Sequence, residues 1–127
     1  MGHKIFTPAE ATQTLPLVKQ VVQDILALGR ELRGIQAKEI HSVDDQDRFH
    51  VLAGELEDLF GELEEVGCSF RAPDFEYGLV DFPSIIDGEP VHLCWRDDEP
   101  ELRYYHGPLA GFAGRKPIPG ELLSASE

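Results

Sequence analysis

Residues 78–107 read G-L-V-D-F-P-S-I-I-D-G-E-P-V-H-L-C-W-R-D-D-E-P-E-L-R-Y-Y-H-G, and this stretch decides the fold. It is rich in Val, Ile, Leu, Phe, Trp and Tyr and is cut by the turn signals Asp87-Gly88 and Asp98-Glu99-Pro100. Such a pattern predicts a three-stranded antiparallel meander. With Asp87 and Gly88 as the central pair of a type I′ turn, Ile86 faces Glu89. The pairing then continues through Phe82 with Leu93, Asp81 with Cys94 and Val80 with Trp95. The first strand spans 79–86 and the middle strand 91–96. A second turn centred on Asp98 and Glu99 pairs Trp95 with Leu102, Cys94 with Arg103, Leu93 with Tyr104 and His92 with Tyr105.

Alternation across the strands sorts these residues into two faces. Val80, Phe82, Leu93, Trp95, Leu102 and Tyr104 form an apolar layer that must be covered. Asp81, His92, Cys94, Arg103 and Tyr105 form a polar row. Pro83 and Pro90 cannot donate to a ladder and mark bulges or edge positions, and a slip of one residue would exchange the faces.

Upstream, Phe6-Thr7-Pro8-Ala9-Glu10 is a helix start, with Thr7 as cap, Pro8 in the first turn and Glu10 closing a capping box. Pro16 either kinks this helix or separates a short piece from a second helix starting near Leu15. Beyond it, Leu15, Val18, Val22, Ile25 and Leu32 define an amphipathic helix to about Ala37. Gly29 lies on its apolar stripe, where a missing side chain lets another backbone approach. Residues 39–50 contain His41, Asp44, Asp45, Asp47 and His50, but their spacing matches no zinc or EF-hand pattern and reads as a loop plus a helical first turn. From about Gln46 to Val66, Phe49, Leu52, Leu56, Leu59, Leu63 and Val66 form a second seam, ended by Gly67 as a left-handed cap.

The expected architecture is one α+β domain over residues 1–127. It has a long antiparallel helical hairpin at about 8–67, a meander at 78–107 led into through Pro73, and an irregular tail at 108–127. Phe112 can anchor the Gly- and Pro-rich tail on the sheet, and residues from about Leu122 are expected to fray.

At 127 residues and 42% hydrophobic content, the chain can bury a core, and no apolar run approaches a membrane span. A formal net charge of −13 disfavours nucleic-acid binding. Cys68 and Cys94 lie far apart, no basic-then-apolar leader is visible, and Phe6 stands where a myristoylation signal at Gly2 wants Ser or Thr. A cytoplasmic protein with reduced thiols is the expectation, and Cys68, directly after a helix cap, reads as packing.

The phrases F-T-P-A-E-A at 6–11, V-G-C at 66–68, G-L-V-D-F-P at 78–83, L-C-W at 93–95, Y-Y-H at 104–106 and G-F-A-G-R at 111–115 together resemble the bacterial domain of unknown function 2203 family. The resemblance runs nearly end to end and implies an uncharacterised protein with no activity to carry over. Glu99 and His106 match the family's pattern, whereas Asp98 and Tyr105 depart from its usual Gly and Trp.

The candidate polar site is Asp81, Glu99, Arg103, His106 and Arg115. Asp81 interrupts an apolar strand and needs a partner such as Arg103 or Arg115 if buried. His106 ends the last strand, where an imidazole can serve as acid, base or ligand. Arg115 in its Gly-rich loop can meet an anion, His92 is unremarkable, and Cys94 reads as a buried thiol without a histidine beside it. No nucleophile, triad or metal-ligand spacing is recognisable, so no metal, cofactor or catalytic residue is assigned. Two functions remain: a homo-oligomeric interaction or binding module, dimeric through a hairpin seam that the small sheet cannot cover, or a small metal-dependent or acid–base enzyme with its site at the meander edge. An Asp81 face sealed from solvent would leave only the structural role for its polar residues.

Overall fold

The Thr7 hydroxyl accepts a hydrogen bond from the Glu10 backbone N–H while the Glu10 carboxylate accepts one from the Thr7 N–H, and this capping box opens helix α1, Pro8–Gln36. The computed structural model describes residues 4–72 and 74–124; Pro73 and the chain ends at 1–3 and 125–127 lie outside the described residues. Helix α1 runs unbroken through Pro16 rather than starting afresh near Leu15. Pro16 and Thr12 both lie on the exposed side, so water can serve the Thr12 carbonyl that the proline leaves without a donor. Helix α2, Val43–Val66, starts a turn earlier than the sequence reading, because Ser42 and Asp45 form a second capping box. It ends where Gly67, at φ 111°, takes the left-handed conformation.

The sheet has five strands, not three: β1 (Ser69–Phe70), β2 (Leu79–Ile86), β3 (Glu89–Arg96), β4 (Tyr104–His106) and β5 (Lys116–Pro117), paired in chain order and all antiparallel. The β2–β3 register is the expected one, from Leu79 opposite Arg96 to Ile86 opposite Glu89. Asp87 and Gly88 both have positive φ, at 54° and 78°, as a type I′ turn requires. Pro83 makes no bulge: its carbonyl accepts from the Phe6 N–H at 2.8 Å, on the side of β2 away from β3. A residue in extended conformation points its N and O the same way, so the absent N–H costs no β2–β3 bond.

The β3–β4 register is one residue away from expectation: Cys94 faces Tyr104, Leu93 faces Tyr105 and His92 faces His106. The connection is not a two-residue turn. Asp97 accepts from the Gly78 N–H, Glu99 accepts from the Arg96 N–H, and the Glu99 carbonyl accepts from the Trp95 indole, so residues 97–103 are held as a longer loop. The two tyrosines exchange faces as a result. Tyr105 packs against the main core, and Tyr104 joins the Asp81 side.

The core lies between the hairpin and one face of the sheet, with Val18, Val22, Ile25, Leu52, Leu63, Val80, Phe82, Leu93 and Leu102 all at 1% exposure or less. Phe6 joins it edge-on to Phe82, with ring centroids 5.2 Å apart. Gly29 does admit a close neighbour, but that neighbour is the Phe75 ring rather than a backbone. The tail is more ordered than expected: residues 112–114 form a 3-10 turn, β5 follows, and a short helix α3, Gly120–Ser124, sets Leu122 and Leu123 against the core. Strand β1 packs on α2 and helix α3 on α1, so the hairpin has more cover than a three-stranded sheet alone would give it. Among the described residues no helix is long and apolar enough to cross a membrane.

Candidate metal centre

Beneath the tail, on the face of the sheet away from the helices, the strands collect the polar side chains. Asp81 on β2 stands directly opposite Cys94 on β3, Tyr104 on β4 pairs with Cys94, and His106 pairs with His92. Period-two alternation therefore places Asp81, His92, Cys94, Tyr104 and His106 on one side. Asp81 and His106 are 5% exposed and Cys94 0%. The ligating atoms of Asp81, Cys94 and His106 all lie within 4.8 Å of one another, the one such grouping of His, Cys, Asp and Glu among the described residues.

The tail seals this face. Phe112 and Tyr77 pack against Ala72, Leu79 and Cys94 in a small second cluster. Arg115 lies over the Tyr104 and Phe112 rings, at 4.3 Å and 4.1 Å. Glu99 grips it with both carboxylate oxygens, at 3.0 Å and 2.7 Å. At the edge, the half-exposed Arg71 brings its Nε to 3.5 Å from Asp81.

The hydrogen bonding around His106 constrains its protonation. Its Nδ1 is 2.8 Å from the Gly107 carbonyl. A carbonyl only accepts, so Nδ1 carries a hydrogen, and in the neutral ring Nε2 is left as a bare lone pair. That lone pair points at Asp81 Oδ1 from 3.3 Å. Two acceptors thus face each other in a buried place, an arrangement that calls for a proton or a cation between them. Burial pushes the Cys94 thiol up to about 12; the Asp81 carboxylate adds to the rise and the Arg115 guanidinium opposes it. Burial also holds His92 below its ordinary value, against the pull of Asp81.

Of the residues singled out from sequence, Asp81 and His106 come together. Glu99 and Arg115 pair with each other, and Arg115 borders the centre over the Tyr104 ring. Arg103 does not take part: the register slip turns it outward, where its side chain is 60% exposed and pairs with Glu101. Asp81 instead finds Arg71 and His106. In the 39–50 segment, Asp45 is occupied by the Ser42 cap and Lys38, and His41 by the Ile35 carbonyl. Cys94, His92, Tyr104 and Arg71 were not among the site residues drawn from sequence. Cys94 already stood opposite Asp81 in the expected register; what was missing was the histidine beside it.

The fold and this centre define an α+β protein in which a helical hairpin backs a meandering sheet with an Asp–Cys–His cluster on its far face. A family model described as an uncharacterized conserved protein (DUF2203) matches residues 4–118, and the chain belongs to that family. No curated protein and no solved structure matches it. Asp81, Cys94 and His106 fall one each in the phrases G-L-V-D-F-P, L-C-W and Y-Y-H.

Proposed function

We propose that this chain is a metal-binding protein whose ion sits between Asp81, Cys94 and His106. The observation that carries the reading is the pair of facing acceptors, Asp81 Oδ1 and His106 Nε2 at 3.3 Å, with Nδ1 committed to the Gly107 carbonyl. A ligating histidine characteristically donates its other ring N–H to a backbone carbonyl or carboxylate, which fixes the tautomer a metal needs. Atoms bound to one tetrahedral Zn²⁺ at roughly 2.0–2.3 Å stand about 3.3–3.8 Å apart, and the Asp81–His106 separation already has that length. A mixed O, S and N donor set suits a borderline divalent ion such as Zn²⁺. Coordination of Cys94 releases its thiol proton to solvent, and Arg115 lies where it favours the thiolate.

Burial of all three groups favours a binding module over the enzyme reading, since a substrate has no open face by which to approach. It also satisfies the condition under which Asp81 and His106 would be purely structural, as a buried imidazolium–carboxylate pair. The two readings separate experimentally. Untagged protein should carry about one equivalent of a divalent transition ion by elemental analysis after metal supplementation, and a chelator should lower its melting temperature. No stoichiometric metal, with melting indifferent to chelation, would leave the ion pair as the account of these residues.

A second reading, association through the hairpin, draws support from its tip. Ile40 is 86% exposed and Val43 72%, beside a hollow of about 330 Å³ lined by Ile35, His41, Phe49 and His50. We propose this end, rather than the seam, as the contact between copies in a dimer. Light scattering coupled to size exclusion should give twice the chain mass at micromolar concentration, and Ile40→Asp should reduce it to the monomer's.

A further inference from the structure

Resting on the metal-binding reading, we propose that His92 supplies a fourth ligand, so that the ion is enclosed by Asp81, Cys94, His106 and His92. His92 lies on the same face of the sheet as the three, directly across from His106, with ring centroids 5.4 Å apart and planes inclined at 37°. Its Nδ1 is buried and has no hydrogen-bond partner. A buried ring nitrogen left unpaired costs free energy, and an ion is one partner that would remove the cost. His92 stands outside the set of atoms within 4.8 Å of one another. Closure therefore requires its ring to swing toward His106, and at Nδ1 there is no hydrogen bond to break.

The count of ligands decides what the ion does. Catalytic zinc sites keep three protein ligands and an open position for water or substrate, whereas structural sites are closed with four. With His92 in place the centre ties β2, β3 and β4 together and holds no exchangeable water. The ion is then a fastener of the sheet, and its class is a divalent cation content with tetrahedral geometry, Zn²⁺ first.

Cobalt(II) alone is the probe, titrated into the full chain, because its visible absorption is strong in four-coordinate sites and weak when water raises the coordination number. Wild type should show the intense four-coordinate spectrum with a thiolate charge-transfer band. His92→Ala should keep that band but change the visible bands in position and intensity as water replaces the imidazole, and its Zn²⁺ affinity should fall by more than about tenfold, the least expected even of a ligand's outer partner. His92→Cys should restore the intensity and enlarge the charge-transfer band, a rescue that a merely structural histidine would not permit. Wild-type spectrum and affinity in His92→Ala would overturn the fourth ligand and leave the three-residue centre standing. Should His92→Ala fail to fold, an unenlarged charge-transfer band in His92→Cys would overturn it equally. Absence of cobalt binding by wild type would overturn the metal-binding reading itself.

Discussion

Glu99 holds Arg115 by two parallel hydrogen bonds, at 3.0 Å and 2.7 Å, and in doing so pins the tail across the sheet. Both side chains are less than one-fifth exposed, at 18% and 14%, so the pair is nearer the buried than the surface limit. Glu99→Gln strands the guanidinium between two rings and should cost about 2–3 kcal/mol, somewhat under the loss for a fully buried pair. In a domain of this size that is roughly a 10 °C fall in melting temperature. Arg115→Lys should recover little of it, because an ammonium cannot reproduce the planar fork. A Glu99→Gln melt within about 2 °C of wild type would show the clasp to be ornamental.

Asp81→Asn distinguishes an ion pair from a ligand. Arg71 is half exposed, at 52%, and stays solvated without its partner, while the new amide can donate to the His106 lone pair. With a chelator present the variant should be as stable as wild type or more so, and with metal present it should lose the stabilisation that wild type shows. If instead the chelated variant were weaker by on the order of 3 kcal/mol, His106 would be charged in the native protein and the pair structural.

Gly29→Ala sets two effects against each other. Alanine favours a helix interior by about 1 kcal/mol over glycine. Here, however, a Cβ would lie 2.3 Å from the Phe75 ring, and Phe75 is itself buried at a backbone φ of 61°, so it cannot easily retreat. Overpacking of this kind typically costs about 1–3 kcal/mol, and a net loss is expected. Gly54→Ala, with nothing within 4 Å of the added carbon, should stabilise the protein. Urea denaturation of the two variants should move the midpoint in opposite directions.

Cys68 makes the protein sensitive to alkali. Burial beside the end of α2 pushes its thiol from 9.0 up to about 12. The folded chain therefore keeps this proton to higher pH than the unfolded chain. The corresponding stability is fully present below about pH 9 and is lost as pH rises from there toward about 12. Denaturation midpoints from pH 8 to pH 11 should decline more steeply in wild type than in Cys68→Ala. Parallel slopes would refute the assignment.

The legible parts of this fold are those governed by local chemistry. Thr7 with Glu10, Gly67, and the Asp87-Gly88 turn each specify a backbone conformation within a few residues, and β2–β3 follows from the last of them. The β3–β4 register was not readable in the same way. Asp98-Glu99-Pro100 looks like a tight turn, but the conformation is set by Asp97 reaching back to Gly78 and by Glu99 closing on Arg96, contacts invisible to spacing. That single residue of slip separated Arg103 from Asp81 and brought His106 across from His92. Strands β1 and β5 were missed for another reason: each is two residues long and takes its structure from the neighbour it pairs with.

Because every strand pairs with the one beside it in the chain, the sheet can be assembled by successive local closures, each with little loop entropy to overcome. The isolated bridge from residue 6 to β2 departs from that rule. It joins Phe6 to Ser84 across 78 residues, and the Ser84 hydroxyl donates to the Phe6 carbonyl at 2.6 Å. Residues near the start of the chain thus wait for a partner far downstream, and the ring of Phe6 is expected to enter the core after the folding barrier is crossed. Phe6→Leu should accordingly accelerate unfolding while leaving the refolding rate nearly unchanged, a φ-value near zero in stopped-flow measurements, whereas a value near one would make this distant clasp part of the nucleus. Order of synthesis and order of assembly, on this topology, run in opposite directions at the amino-terminal end.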